Sequence, residues 1–190
     1  IAAGRSVTLG GAGLDNRGTI GLEGRLTMAS LDNPGTINLE GGVLAASGAM
    51  LNRGLVKGRG SVAAAGGFTN EGLLLLEGAS SVAGPVLNRD LILVLASDVG
   101  FGAAVTNTSY FKVQGGTVDF AGGYTEAGSY SSGQSTSFFD GLTVEASGHL
   151  RGDAASRFVM RGDFLNRSLQ GAQWNTREAR RRSRVCSGGS

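Results

Sequence analysis

Apolar residues in this chain alternate with polar ones in short runs, and the runs return at a nearly fixed interval. Ile20, Leu22 and Leu26 alternate, as do Ile37 and Leu39, and later Val113, Val118 and Phe120. A period of two is that of an extended strand, whose successive side chains point to opposite faces. An Asn-x-Gly step precedes most runs. It reads as turn chemistry, because Asn and Gly tolerate positive φ and the Asn amide can bond nearby backbone. Glu23-Gly24, Glu40-Gly41 and Glu77-Gly78 follow the runs and mark a second corner.

The corner asparagine carries the period. Asn16, Asn33, Asn52, Asn70, Asn88 and Asn107 recur at a mean spacing of about 18 residues, and the text around them nearly repeats. Asn16-x-Gly18-Thr-Ile20-x-Leu22 is followed by Asn33-x-Gly35-Thr-Ile37-x-Leu39, with further copies at Asn52, Asn70 and, more weakly, Asn88. One such unit cannot bury its own apolar face, but stacked units bury a continuous one. At ~3.3 Å per residue such a unit closes a small flattened or triangular coil, and roughly ten coils at ~4.8 Å stand about 45–50 Å tall. The recurrent Asn is expected to form a structural ladder of side-chain amides along the stack.

After Asn107 the repeat loosens. Gly115-Gly116, Gly122-Gly123 and Gly141 still punctuate strands, and Asp163-Phe164-Leu165-Asn166 resembles the repeat head again. The stretch from Gly128 to Ser137, rich in Ser, Gly and Thr, reads as polar strand with its corners, because Phe138-Phe139 resume at once. Residues 177–190 do not fit: an arginine run without alternation reads as a solvated tail whose removal leaves the melt unchanged. The domain organisation is thus a solenoid over 1–176 and a basic tail over 177–190.

Composition sharpens this reading. Glycine makes 34 of 190 residues, far above a usual share of about 7%. Such a chain must turn often and disfavours helix. The net charge of +2 comes from the tail, which holds Arg177, Arg180, Arg181, Arg182 and Arg184 among 17 basic residues. Without it the body is weakly acidic, which does not support a nucleic-acid face. Cys186 is the single cysteine, so no internal disulfide framework exists. No apolar run approaches the ~18 residues of a membrane helix. The opening at Ile1 and the lack of polar caps read as a piece of a longer solenoid, with flanking coils missing.

The heads at Asn16, Asn33 and Asn70 resemble those of bacterial secreted β-helix repeat proteins, the filamentous-haemagglutinin-like and autotransporter-passenger-like adhesins and related sorted surface proteins. Met160-Arg-Gly-Asp-Phe-Leu-Asn-Arg-Ser and Gln173-Trp-Asn-Thr resemble a phrase of the same kind of protein. This resemblance implies a right-handed parallel β-helix, export, and a stalk or adhesive role. The expected fold class is therefore all-β, a right-handed parallel β-helix (β-solenoid) with coils of about 18 residues.

Candidate chemistry is sparse. Gly10-Gly-Ala-Gly-Leu-Asp15 begins like a calcium nonapeptide, but its apolar position falls on Arg17 and no tandem copy follows. Arg151-Gly-Asp153 and Arg161-Gly-Asp163 are integrin-type tripeptides, the second at an expected strand corner. Asn107-Thr-Ser109 and Asn166-Arg-Ser168 are formal glycosylation acceptors. His149 is the only histidine, and no metal or cofactor site can be assembled. Glu23, Glu40 and Glu77 repeat beside corner glycines and read as a solvated edge, as do Asp15 and Asp32. Thr19 and Thr36 begin a row of the kind an ice-binding face needs, which Leu55, Leu73 and Leu91 then replace.

The functional expectation is a non-enzymatic, secreted or cell-surface structural or adhesive solenoid, without cofactor or catalytic residue. Its partners would be glycans or a host or neighbouring-cell surface. The alternative is a carbohydrate-active β-helix using carboxylates on one face.

Overall fold

A run of alternating apolar residues exposes half its hydrophobic surface unless another run lies beside it. Here the chain supplies its own neighbours by winding. The computed structural model describes residues 1–169, and every strand pair in it is parallel. Two sheets result, one of 12 strands and one of 9.

Each regular coil contains a short strand, a tight corner and a long strand bent in its middle. Coil 4 has Phe68–Asn70 and Leu73–Ala83, and coil 5 has Val86–Asn88 and Leu91–Phe101. The bend is a register shift, seen between Glu40 and Val43 and between Leu76 and Ser80. It divides the long strand into two faces, so the coil has three sides. Counting from the short strand at Gly13–Asp15, coils begin at residues 13, 30, 50, 68, 86, 105, 124 and 142. Eight coils are therefore present among the described residues, fewer than the ten expected for the whole chain, and a ninth begins with Phe164–Asn166. The polar stretch after Gly128 is strand, in two pieces, Ser129–Gly133 and Thr136–Phe139.

The Asn-x-Gly corner works for a reason other than the expected positive φ. Neither the ladder asparagines nor Gly35, Gly54 and Gly72 lie in the left-handed region. A Cβ on Gly72 would instead stand 2.3 Å from the carbonyl oxygen of Gly54, one coil below. Glycine is there because corners stack too closely for a side chain. Coil 5 substitutes Asp90, and the hydrogen bond from Leu91 N–H to Gly72 O lengthens to 3.3 Å, against 2.9 Å for Leu73 N–H to Gly54 O. Positive φ is used at the bend, where Gly58 has φ 107°.

Inward residues stack in rows, one per coil. One row runs Ile37, Val56, Leu74, Ile92, Phe111 and Tyr130, and another Leu44, Val62, Val82, Phe101, Phe120 and Phe139. All of these are buried. The core is mostly aliphatic in the lower coils, where Phe68 is an exception, and mostly aromatic above. Phe101 stacks on Phe120 at 5.3 Å and Phe120 on Phe139 at 5.0 Å, close to the sheet's own strand spacing of about 4.8 Å.

Candidate functional site

The side chain that ends each short strand closes the corner, and these side chains form one continuous polar row. Asn16, Asn33, Asn52, Asn70, Asn88 and Asn107 are all buried. Each Nδ2 donates to the Oδ1 of the next coil, at 2.6, 2.7, 2.8, 2.8 and 2.7 Å. The remaining proton reaches backbone carbonyls, such as Leu73 O from Asn52 at 3.1 Å and Leu91 O from Asn70 at 3.0 Å. The row has a direction: every amide-to-amide bond is donated toward the C-terminal coils. Aligned bonds of this kind polarise one another, and the last donor carries the positive end.

That donor meets Glu126, which pairs in register with Asn107. Glu126 is 0% exposed. Asn107 Nδ2 lies 3.0 Å from both carboxylate oxygens, the Tyr124 hydroxyl donates to Oε2 at 2.8 Å, and Gly128 N–H donates to Oε1 at 2.6 Å. One coil above, the row is filled by Val144, which offers no acceptor. A carboxylate only accepts, so it ends a column of donors without leaving one unpaired. Burial nevertheless disfavours its charge and pushes its pKa up to about 7, and the bonds from Asn107, Tyr124 and Gly128 restrain the shift. Burial, with Glu126 beside it, pushes the Tyr124 phenol well above its ordinary value. Sequence reasoning stopped the row at Asn107 and missed Glu126. The available signal was Glu126-Ala-Gly128, which keeps the polar-x-Gly spacing 19 residues after Asn107. The row passes through Val144 to Asn166, which is exposed.

The other candidates are scattered over the surface. Glu23, Glu40 and Glu77 are exposed along the bend, and Arg59 pairs in register with Glu40, interrupting the row. Asp15 pairs with Arg17 at 2.9 Å, and Asp32 with Arg53 at 2.7 Å. Arg89 and Glu71 extend this exposed charge column at 3.0 Å. Such exposed pairs are worth roughly 0–1 kcal/mol each. His149 is exposed on strand His149–Gly152. Asp153 of the first Arg-Gly-Asp caps a turn, accepting from Ser156 Oγ and from the backbone of Gln134 and Ala155, and these bonds lower its pKa. Arg161 of the second pairs with Asp119 and Asp140 and lies 5.0 Å from the Phe138 ring. Asn107 spends its amide in the ladder, so it cannot also present a glycosylation acceptor. Gln173-Trp-Asn-Thr and the 177–190 tail lie outside the described residues.

Among the described residues no three His, Cys, Asp or Glu side chains are grouped as metal ligands would be. No helix there is long and apolar enough to cross a membrane. Two shallow concavities of about 400 and 360 Å³ run along the small-residue corner before the short strands. They meet at Ala104, with Gly66, Gly67, Gly122, Gly123 and Gly141 as floor, and along one side run Thr69, Thr106, Thr125 and Thr143, interrupted by Leu87 between the first two. Comparison of the chain with protein-family models, curated proteins and solved structures returns no match.

Proposed function

We propose that this solenoid is a non-enzymatic structural or adhesive element of a secreted or cell-surface bacterial protein. It grips its partner along its length, not within a pocket. The observation that carries the reading is the pair of concavities above: open, joined end to end, and walled by stacked equivalent residues. A trough of that shape suits an extended polymer, whose repeats can meet successive coils. Threonine hydroxyls along the wall are suitable partners for sugar hydroxyls, so a glycan is the first ligand class. The resemblance of the repeat heads to exported adhesins points the same way.

The test is a glycan-array screen of the chain, run beside a turnover assay on pooled polysaccharides. Binding without turnover supports the adhesive reading, and Thr106→Val with Thr125→Val is then expected to weaken it. Turnover overturns the reading and directs attention to Glu23, Glu40 and Glu77. Absence of both leaves a passive stalk as the structural half of the proposal.

A further inference from the structure

The outward side of the first half of the long strands carries an apolar strip flanked by cations. Two rows of residues project from it. One runs Thr36, Leu55, Leu73, Leu91 and Tyr110, and the other Asn38, Lys57, Leu75, Leu93 and Lys112. The five leucines are half-buried against one another, and Tyr110 is 63% exposed. Lys57 and Lys112 are the only lysines of the chain, and they stand in the same row at either end of Leu75 and Leu93. Three strand spacings separate them, or about 14 Å. Followed through all eight coils, from Thr19 and Gly21 to His149 and Arg151, these two rows contain no Asp or Glu.

We infer that this face is a docking surface for a lipid bilayer containing anionic lipid. The face is continuous parallel sheet, and the two concavities described above lie on another side of the coil. A partner helix would need a groove, whereas a bilayer is itself planar. The apolar strip spans about four strands by two rows, far below the ~800 Å² per partner of a stable protein interface. A second copy would therefore be held weakly by it. A bilayer needs only a few apolar anchors flanked by cations. Leucine, an amphipathic tyrosine ring and lysines that can extend their stems are the side chains that interface favours. The nearest acids are marginal: Glu23, Glu40 and Glu77 on the bend, where Arg59 stands in register with Glu40, Asp90 at the corner, and Glu71, which already pairs with Arg89. The inference concerns a different side of the molecule from the glycan trough and does not depend on that reading.

The full chain is floated with neutral phosphatidylcholine vesicles and with vesicles containing anionic phosphatidylglycerol. The expected result is flotation that favours the anionic vesicles. Lys57→Glu with Lys112→Glu should reduce it at least about tenfold, from ~1 kcal/mol per cation at the surface. Leu75→Ser with Leu93→Ser should reduce binding to both vesicle types. All four positions point outward, so melting is checked in each variant, and the lysine pair serves if the leucine pair melts early. No flotation of the parent chain overturns the inference. So does flotation unchanged in the lysine variant but abolished by Arg→Gln substitution at 180–182, which would assign binding to the basic tail.

Discussion

Coils 2 to 5 and coils 6 to 8 follow one backbone path but fill it with different chemistry. In the lower coils the inward rows are mostly aliphatic, with Phe68 and Phe101 as the first rings, and every corner closes on an asparagine. In the upper coils Phe111, Phe120, Tyr124, Tyr130 and Phe139 replace them, with ring centroids 4.4–6.2 Å apart. The corner there passes from Asn107 to Glu126 to Val144. Hydroxyls enter the upper core too. Tyr130 bonds Ser137 and Ser132 bonds Ser135, both pairs buried and 2.6 Å apart. A parallel stack therefore fixes the positions that must be filled and satisfied, and leaves open how. The lower half repeats one solution; the upper half solves the same positions singly.

The largest effect should come from charging the regular half. Leu39 is 2% exposed, between Leu22 below and Gly58 above. Leu39→Asp buries a carboxylate with no donor and should cost more than about 4 kcal/mol, enough to unfold a domain of ordinary stability. A cooperative thermal melt surviving near the parent temperature would show that the lower coils tolerate polar interiors as the upper ones do.

The same comparison explains what the chain's text disclosed. The lower half was legible because a repeat of identical residues, Asn with Gly two positions on, makes the period visible. The step from Asn107 to Glu126 has the same length as that from Asn88 to Asn107, yet changing amide for acid hid it. Asn166 was recognisable from Phe164-Leu165-Asn166, although it lies 22 residues beyond Val144, because the head kept its identity. The corner glycines read as turn formers in the sequence, while in the fold they are contacts between stacked corners. Packing of one coil on the next cannot be read from a single copy. The trough escaped notice likewise, since Gly and Ala at corners look like punctuation until they line up.

A smaller effect should separate the interior of the ladder from its end. Asn70 accepts from Asn52 and donates to Asn88, to Leu91 O and to Gly72 O. Asn70→Ala leaves partners unpaired both above and below, a loss of roughly 3 kcal/mol at 1–3 kcal/mol per buried orphan. Asn16 donates to Asn33 and Thr36 O but accepts from no ladder neighbour below, so Asn16→Ala should cost about half as much. Urea midpoints of the two variants give the ratio. Equal losses would mean that the amides act independently and the row has no cooperative direction.

The last and smallest effect tests whether the acid at the head of the row is tuned by its surroundings. Glu126 has a pKa of about 7 in the folded chain, raised by burial from 4.5. The folded state therefore holds a proton that the unfolded state releases. Its contribution to stability is complete below pH 4.5 and is lost as pH rises through 7, by at most about 3 kcal/mol. The groups facing it are Tyr124, Tyr130, Asn107 and the Gly128 N–H, with Val144 above, and among them only the tyrosines titrate, far above this window. All other groups are common to both chains, so their contributions cancel when parent and variant are compared. Glu126→Gln keeps the shape, cannot titrate, and turns an N–H toward Val144. The parent should lose stability from pH 4.5 to 7.5, while the variant stays level. Parallel curves would mean that the three donors, Asn107, Tyr124 and the Gly128 N–H, already hold Glu126 ionised across the range, and that the upper coils end the ladder on a permanent charge.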